Sequence, residues 1–469
     1  MIDSLAIPID RRTIVACCTP SGGTGGAVAL IRISGPHAIA VANRIFKKSG
    51  LASFSLTEQE SHTVYHGCGV NGTGVIIDEV LCILMRAPRT FTGEDTIEIT
   101  CHHNQLIIDA IIHAAIAAGA RFAQRGEFTQ QAFLNKKIDL IQAEAIHELI
   151  TAQTAQSLER SLAQLQGSMS HTMDTIEKQL LTIIAWCEAS FEFVEEVGDF
   201  GSAIQKKTHS LRSTITGMLS SFSSQAHIRT GIRIALLGSV NAGKSSLFNR
   251  LVQQERSIVT AIPGTTRDSI ESTVSRQGIA WTYIDTAGLR ATHDIVEREG
   301  IARSWRSAQE ADVLLLIIDR SRPITEEEHG YYQQLLINHT YKSIVVYNKS
   351  DLPSLPETEQ LIIHDVTCVL SATTGDGVTE LETYITQKTQ QLLMKNQMPF
   401  LINQRHQQIL ISLDFHLSHI EHLCNTTTPP YELISLELQQ AVSCIHEVTG
   451  KTVSESALHK IFSEFCIGK

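Results

Sequence analysis

The segment Gly238–Ser245 constrains the fold of this chain more than any other, because it reads Gly-Ser-Val-Asn-Ala-Gly-Lys-Ser. Two glycines separated by four residues and followed by Lys and Ser are typical of a phosphate-binding loop. The glycines allow left-handed backbone, Lys244 supplies a positive charge, and the Ser245 hydroxyl can bind magnesium. Such a loop joins a buried strand to a helix whose N-terminus faces the anion. The apolar run 233–237 and the helical pattern of 246–252 predict that strand and that helix.

Length, charge and cysteine usage narrow the class of protein. A chain of 469 residues is too long for one hydrophobic core, so we expect about two to four domains. The net charge of −11 argues against a protein whose whole surface binds nucleic acid, although it allows a local basic patch. The ten cysteines form no metal-ligand spacing, and we interpret them as reduced thiols. The longest apolar runs are too short to cross a bilayer and no secretory signal is evident, so we expect a cytoplasmic protein without membrane association.

The periodicity of apolar residues predicts two kinds of domain. Five segments between Thr13 and Lys137 predict a mixed α/β domain: strands over 27–33, 79–85 and 95–101, and helices over 37–47 and 104–118. Helical periodicity is nearly continuous from Asp139 to about His227, and it returns from Gln391 to Phe465 with one break at 425–430. Because domain termini often lie close together, we interpret the two helical stretches as one domain with the intervening segment inserted. Two separate helical domains are the alternative.

Two motifs after the phosphate loop predict contacts to magnesium and the γ-phosphate of a nucleotide. Asp285–Gly288 reads Asp-Thr-Ala-Gly after a strand-like run at 281–284. Its carboxylate can hold magnesium through water, and the Gly288 N–H can contact the γ-phosphate. Pro263–Arg267 reads Pro-Gly-Thr-Thr-Arg, and a threonine there can complete the magnesium shell when the γ-phosphate is present.

Two further motifs predict recognition of guanine. Asn348–Asp351 reads Asn-Lys-Ser-Asp after the strand-like run 344–347, and the Asp351 carboxylate can accept hydrogen bonds from the guanine N1–H and 2-amino group. Adenine lacks both donors and would leave the carboxylate unpaired, which gives strong discrimination. Ser371–Thr373 reads Ser-Ala-Thr after a fourth strand-like run, and its N–H groups can meet the guanine oxygen. All the motifs together predict GTP binding.

The catalytic machinery for hydrolysis departs from a common pattern. Many GTPases place a water-orienting glutamine after Asp-x-x-Gly, but here that position is Leu289, which neither donates nor accepts a hydrogen bond. Another group must orient the water, and an arginine or a cation must neutralise the developing charge. Asn241 offers an amide oxygen near the β- and γ-phosphates, and together with the carbonyls of Thr260 and Ile262 it could bind a monovalent cation. A role for Asn241 in shaping the loop is the alternative.

The chain closely resembles the MnmE (TrmE) family of tRNA-modifying GTPases from Thr13 to Lys469. Besides the GTPase motifs, the matching blocks are 13–16, 30–35, 91–95, 125–129, 132–140, 142–145 and the terminal Cys-Ile-Gly-Lys at 466–469. The resemblance implies a multidomain fold of α/β and all-α parts: an N-terminal α/β folate-binding and dimerisation domain at 1–138, a helical domain made of 139–229 and 391–469, and an inserted TrmE-type P-loop (Ras-like) G domain at 230–390.

The resemblance also implies a potassium-activated GTPase whose G domains dimerise across their nucleotide faces. The predicted nucleotide-binding residues are Asn241, Ala242, Gly243, Lys244, Ser245, Ser246, Thr260, Thr265, Thr266, Asp285, Thr286, Ala287, Gly288, Asn348, Lys349, Asp351, Ser371 and Ala372. The implied magnesium ligands are Ser245 and Thr266, and the implied potassium ligands are Asn241, Thr260, Ile262 and Thr265. Lys244 and Glu297 are the implied catalytic residues of hydrolysis, with the Glu297 carboxylate acting on the attacking water.

The family binds 5-formyltetrahydrofolate or a related tetrahydrofolate derivative at the N-terminal dimer interface. Arg32, Glu98, Lys137 and Lys469 match the contacting positions. Positive side chains suit the glutamate tail of folate, and a carboxylate suits the N–H groups of its pterin. Without the resemblance, Arg32 and Glu98 would be interpreted as charges at strand edges.

The sequence departs from the family pattern beside the Glu98 strand. The family often has Cys-His-Gly-Gly there, whereas this chain has Cys-His-His-Asn at 101–104. We expect the side chains of His103 and Asn104 to narrow the space next to the folate site.

Cys466 matches the terminal cysteine that the family needs for tRNA modification, although a cysteine near a chain end is otherwise more often incidental. The family reaction installs a carboxymethylaminomethyl-type group on carbon 5 of the wobble uridine of certain tRNAs. The resemblance implies a homodimer that forms a heterotetramer with the FAD-dependent partner MnmG (GidA) and acts on tRNA. The alternative function is a ribosome-assembly GTPase that acts as a binding switch, a class without the N-terminal block and the Cys466 tail.

Overall fold

The structure is a computed structural model that describes residues 13–19, 26–50, 54–192, 201–253, 270–276, 278–285, 305–355, 362, 364–393, 398–426 and 429–468. Its contacts divide the chain into two compact units. One comprises Met1–His147, Met169–Leu181 and Gln439–Lys469, and the other comprises Glu148–Ser168 and Thr182–Leu438. Among the described helices, none combines the length and the apolar character needed to cross a membrane.

The first unit is built on a seven-stranded sheet. Its strands are β1 Ile14–Cys17, β2 Val28–Ser34, β3 Phe46–Lys48, β4 Thr63–Val70, β5 Ile76–Met85, β6 Thr96–His102 and β7 Arg121–Phe122. The strand order is β3-β4-β5-β6-β2-β1-β7. All neighbouring strands are antiparallel except β1 and β7, which are parallel.

Helices account for more of the described residues than strands do. They are α1 Ala38–Ile45, α2 Gln105–Ala117, α3 Glu127–Leu134, α4 Leu140–Thr151, α5 Ala155–Leu165, α6 Ser168–Glu192, α7 Gly201–Thr230, α8 Lys244–Gln253, α9 Glu326–His339, α10 Val378–Leu393, α11 Gln404–Cys424, α12 Tyr431–Thr449 and α13 Glu455–Ser463. In the first unit, α1 and α2 bury alternate strand residues such as Ile31, Cys82 and Ile99 on one face of the sheet. Because side chains alternate along a strand, the residues between them lie on the opposite face.

The predicted mixed α/β region is confirmed, with one wrong helix end. Helical periodicity predicts a helix over 37–47, but α1 ends at Ile45 and the next residues form β3. Phe46 pairs with Gly69 of β4, and its ring is buried in the core beneath the sheet. Tertiary pairing therefore overrides a local helical pattern at this position.

The predicted helical stretches are also confirmed, but they contain more breaks than the periodicity indicates. Thr154 caps the N-terminus of α5, where its hydroxyl accepts the Ser157 N–H at 2.9 Å. A second break separates α12 from α13 at Gly450, whose φ is +86°. A Cβ on Gly450 would lie 2.7 Å from the Cβ of Leu140, so the chain turns there through a glycine that fits closely against α4.

The second unit contains a six-stranded sheet. Its strands are β8 Ile232–Leu237, β9 Ile270–Arg276, β10 Ile279–Asp285, β11 Val313–Asp319, β12 Ser343–Asn348 and β13 Thr367–Val369, in the order β13-β12-β11-β8-β10-β9. All neighbours are parallel except β9 and β10. The carboxyl ends of the parallel strands lie at one edge of the sheet, where ligands of such folds bind.

Candidate functional site

The phosphate loop connects β8 to α8 at this edge, and its two glycines have no room for a side chain. Gly238 has a φ of +150° and Gly243 a φ of +94°. A Cβ on Gly238 would lie 2.2 Å from the carbonyl oxygen of Ile317, and one on Gly243 would lie 2.1 Å from Nδ2 of Asn348. Both positions therefore require glycine because of space as well as backbone conformation.

Asn241 lies at the exposed turn of the phosphate loop. Its φ of +63° is left-handed, a conformation that asparagine adopts more readily than most residues. Its side chain is exposed, so the amide oxygen can face a ligand. The loop-shaping role and a ligand role for Asn241 are therefore compatible with each other.

Lys244 is buried at the start of α8, with 7% of its surface exposed. Its Nζ donates to the carbonyl oxygens of Gly238 at 2.8 Å and Ser239 at 2.7 Å. Burial lowers the pKa of Lys244, and the buried Asp285 carboxylate partly opposes this shift. A buried ammonium group whose hydrogen bonds among the described residues go to neutral carbonyls favours an anionic ligand in the loop.

A network of side chains holds Ser239, the second residue of the loop. Its N–H donates to the Tyr332 Oη at 3.2 Å, and its hydroxyl accepts from Arg322 at 2.9 Å. Arg322 also pairs with Glu328, which closes the capping box of α9. No sequence motif marks Arg322 or Tyr332, so sequence reasoning missed both.

Asn348 joins the phosphate loop to the loop of the predicted motif Ser371–Thr373, here called the predicted guanine loop. Its Nδ2 donates to the Ala242 carbonyl at 2.8 Å, and its Oδ1 accepts the Ala372 N–H at 2.9 Å. Asp351 accepts the Ser371 hydroxyl on Oδ1 at 2.6 Å. The phosphate and base motifs therefore form one continuous hydrogen-bonded site.

Lys349 lies between Asn348 and the end of β11. It has a left-handed φ of +67°, and its Nζ pairs with Asp319 at 2.5 Å. Burial opposes ionisation of Asp319, but hydrogen bonds from Lys349 and Ser321 hold its pKa below the usual range. The lysine is thus fixed against the sheet edge beside the base motifs.

Two oxygen donors at the loop fit a magnesium ion. The Ser245 hydroxyl is exposed at the first turn of α8, next to the equally exposed Ser246, and the Asp285 carboxylate ends β10. Magnesium commonly binds through one or two protein oxygens, several waters and substrate phosphates. No cluster of three His, Cys, Asp or Glu side chains suited to a metal occurs in the part of the chain that the structure describes, and this kind of site needs none.

The motif Pro263–Arg267 and several further residues named in the sequence analysis lie outside the described residues, so their roles stay predictions. The residues with individual predictions are Thr260, Ile262, Thr265, Thr266, Thr286, Ala287, Gly288, Leu289, Glu297 and Lys469.

The first unit contains the predicted folate residues, and it brings three of them to one region. Arg32 and Glu98 are direct partners on β2 and β6, and both Nε and Nη2 of Arg32 lie 2.8 Å from Oε1 of Glu98. The guanidinium carbon lies 5.4 Å from the Phe91 ring centroid. Lys137 donates to the Pro88 carbonyl at 2.9 Å, so the loop between Pro88 and Phe91 contacts both cations. Since β2 and β6 lie inside the sheet, these charges are not at a strand edge.

The C-terminal tail lies against the same unit. The Gly126 N–H donates to the Cys466 carbonyl at 3.3 Å, and the Cys18 thiol donates to the Gly468 carbonyl at 3.1 Å. A Cβ on Gly468 would lie 2.6 Å from the Cys17 carbonyl oxygen, so the tail fits closely on the end of β1. The Cys466 side chain is exposed.

The departure at Asn104 has a local structural role. Asn104 is the N-cap of α2, and its Oδ1 accepts the Leu106 N–H at 2.9 Å. Its φ of −128° is ordinary extended backbone, so glycine is not needed at this position. The asparagine therefore stabilises the start of α2.

Comparison with known proteins finds family matches over most of the chain. Residues 13–137 match the family described as GTP-binding protein TrmE N-terminus, and residues 140–466 match the MnmE helical domain. The chain is 37% identical over 463 residues to tRNA modification GTPase MnmE of Geobacter sulfurreducens, covering 97% of this chain and 99% of that protein. It is 39% identical over 465 residues to the protein of that name from Chlamydia trachomatis serovar L2, with coverage of 97% and 99%. Among solved structures, the G domain of the T. maritima FeoB iron transporter is 25% identical over 34% of this chain and 99% of that one, with a TM-score of 0.25, which is too low to bear on the assignment.

Proposed function

The chain belongs to the MnmE family of tRNA modification GTPases, and from this premise we propose that it installs a carboxymethylaminomethyl-type group on carbon 5 of the wobble uridine of certain tRNAs. It hydrolyses GTP as part of tRNA modification. The position of the C-terminal tail supports the chemical step best. Cys466 is held at Gly126, two residues before Phe128, whose ring lies 5.5 Å from the Arg32 guanidinium carbon. We propose the cytoplasm as its location, where its ten free cysteines stay reduced.

The proposed GTP site has a phosphate end and a base end. Lys244 interacts with the β- and γ-phosphates, and Ser245 and Thr266 bind magnesium. Asp351 accepts the two N–H donors of guanine. The hydrogen bonds of Asn348 to both loops support a single site that orients the whole nucleotide.

The proposed hydrolytic machinery uses a potassium ion in place of an arginine. Asn241, Thr260, Ile262 and Thr265 bind the ion, which would neutralise charge that develops between the β- and γ-phosphates. Glu297 orients the attacking water. The exposed, left-handed Asn241 supports this proposal, because the phosphate loop presents its amide at the surface.

The proposed folate site comprises Arg32, Glu98, Lys137 and Lys469, and its ligand is 5-formyltetrahydrofolate or a related derivative that supplies a one-carbon unit. The described residues fit this group. Arg32 binds Oε1 of Glu98, so Oε2 can accept N–H groups of a pterin. Phenylalanine rings lie against the Arg32 guanidinium on a sheet face that α1 and α2 leave uncovered.

We propose that the chain forms a homodimer through the exposed apolar part of this face, around Val64 and Leu81. Strand pairing aligns Val64, Ile83, Glu98 and Arg32 in one row across it. Val64, at one end of this row, is 58% exposed, and Leu81, two residues from Ile83 on the same face, is 42% exposed. Exposed apolar surface therefore lies beside the charged pair. An FAD-dependent partner of the MnmG (GidA) type completes a heterotetramer, and the net charge of −11 fits a partner that supplies much of the grip on tRNA.

In a strain that lacks this gene, we expect the wild-type chain to restore wobble-uridine modification and the Cys466→Ser variant not to restore it. The serine hydroxyl is far less nucleophilic than a thiolate at neutral pH. The phosphate site does not include Cys466, so GTP hydrolysis by the variant is expected to stay within about twofold of wild type. Nucleoside analysis of tRNA and a phosphate-release assay measure the two properties.

A matched control is Cys68→Ser, which alters a half-buried cysteine of β4 and is expected to restore modification fully. If the deletion strain itself kept the modification, the proposed function would be wrong. Restoration by Cys466→Ser would instead refute only the chemical role of that thiol.

Potassium is expected to accelerate GTP hydrolysis at least about tenfold over sodium at equal ionic strength, because a bound cation stabilises developing negative charge. The Asn241→Gly variant keeps the left-handed backbone that the loop requires and removes the amide oxygen, so the two salts should give it similar rates. Steady-state kinetics in each salt test both statements. Equal wild-type rates in potassium and sodium would contradict the proposed ion site.

A further inference from the structure

Arg250, in the last turn of α8, contacts the loop that follows β13. Its Nε donates to the Ala372 carbonyl at 2.7 Å, and its Nη2 donates to the Thr373 carbonyl at 2.5 Å. Gly375 of this loop has a φ of +97°, which favours glycine, and a Cβ there would lie 2.7 Å from Nη1 of Arg250. Arg250 therefore binds two successive carbonyls of the predicted guanine loop. It lies on α8, the helix that begins at Lys244 of the phosphate loop.

The N–H groups of this loop are almost all used within the protein. Ser371 N–H donates to the Asp376 carbonyl at 2.9 Å, and Ala372 N–H donates to Asn348. The N–H groups of the next residues, Thr374 and Gly375, donate to Ser371. The hydrogen bonds of the described residues include no acceptor for the Thr373 N–H, so a ligand can use this amide.

Arg250 determines where that N–H points. The Ala372 carbonyl and the Thr373 N–H belong to one peptide unit, and in a planar trans peptide these two groups point in opposite directions. Because Arg250 fixes the carbonyl on its own side, the N–H must face away from the guanidinium. The second bond, to the Thr373 carbonyl, holds the next peptide unit and so restrains the backbone on the other side of Thr373.

We propose that Arg250 is a positioning residue for base specificity: it presents the Thr373 N–H to the carbonyl oxygen on carbon 6 of guanine. This inference rests on the proposed guanine site and deepens it. Asp351 reads the N1–H and 2-amino edge of the base, whereas the peptide that Arg250 holds reads the oxygen. Arg250 itself does not touch the nucleotide.

The test compares three nucleotides in steady-state hydrolysis by the full chain. GTP and inosine triphosphate both have the oxygen on carbon 6, whereas 6-thio-GTP has sulfur there, which is a weak acceptor. For Arg250→Met we expect the KM for GTP and for inosine triphosphate to rise about tenfold, the size of one lost hydrogen bond between the Thr373 N–H and the base, with kcat little changed. The KM for 6-thio-GTP should rise much less, so the preference for GTP over 6-thio-GTP narrows.

Two further variants complete the design. Arg250→Lys keeps one charged donor and should give an intermediate preference. Arg306→Met alters an exposed arginine and should leave all three KM values unchanged. The preference is a ratio measured within each variant, so partial unfolding of a variant does not affect it.

The outcomes separate this inference from the guanine site on which it rests. If wild type distinguished GTP from neither analogue, the guanine site itself would be misassigned. If wild type distinguished them and Arg250→Met kept the wild-type ratio of GTP to 6-thio-GTP, only the role of Arg250 would be wrong. A changed ratio of GTP to inosine triphosphate in Arg250→Met would also overturn it, because that ratio reports on the edge read by Asp351.

Discussion

Asp351→Asn is expected to change the preferred substrate from GTP to xanthosine triphosphate. The Ser371 hydroxyl donates to Oδ1 of Asp351 at 2.6 Å, and the asparagine oxygen can keep this bond. The new amide N–H then takes the place of Oδ2 and faces the 2-amino donor of guanine. Xanthine has a carbonyl oxygen at that carbon and can accept the bond. We expect KM for GTP to rise about 10³-fold or more, since a site built for hydrogen bonds strongly rejects a mismatched partner.

KM measurements with both triphosphates test this exchange. The matched control is Asp365→Asn, which removes an exposed carboxylate of the same unit and should change neither KM. An unchanged KM for GTP in Asp351→Asn would show that another group reads the base. Poor hydrolysis of both nucleotides with a normal unfolding temperature would contradict the predicted exchange of hydrogen bonds.

Lys244→Met is expected to lower kcat/KM for GTP by about 10²–10³-fold, the usual effect of removing one preorganised charge from a reaction centre. The lysine is 7% exposed, and its two hydrogen bonds to loop carbonyls hold the ammonium inside the phosphate loop. Methionine has similar length and no charge, so it tests the charge with little change in packing.

The same variant should not be less stable than wild type without nucleotide. Burial lowers the pKa of Lys244, so at neutral pH the folded state must keep a proton that burial disfavours. This destabilising contribution is fully present below the folded-state pKa, and it disappears as pH rises through the unfolded-state pKa. Methionine removes it, while the loss of two hydrogen bonds acts in the opposite direction. Thermal unfolding at pH 7 measures the balance, and a large drop in midpoint would show that Lys244 is mainly structural.

The phosphate loop shows how far local pattern alone can predict this structure. The apolar run at 233–237 and the helical pattern at 246–252 correctly predict β8 and α8. The periodicity of apolar residues gives the wrong helix end where contacts with distant segments determine the local structure. The residues after Ile45 leave the helix because β4 offers them a pairing partner, and the chain turns at Gly450 because of its close contact with Leu140.

The candidate site shows the same difference between residues with a local sequence signal and residues placed by long-range contacts. Motif spacing predicts roles for Lys244, Asn348 and Asp351, because phosphate and guanine chemistry demand particular residue types at particular places after a strand. It could not identify Arg250, which contacts a residue 122 positions away, or Tyr332, which contacts Ser239 across 93 positions. Neither has a local signature, since an arginine or a tyrosine in a helix is ordinary.

The sequence by itself determined the family and the class of nucleotide, and it predicts the charged residues of each site, because all of these depend on residue type and short spacing. Only the tertiary structure decided how those residues are held. It paired Arg32 with Glu98 across two inner strands, and it brought Cys466 to Gly126. It also placed the Arg250 guanidinium on the carbonyls of Ala372 and Thr373. These contacts arise because folding brings together segments that are far apart in the chain, and hydrogen bonds form only at short range.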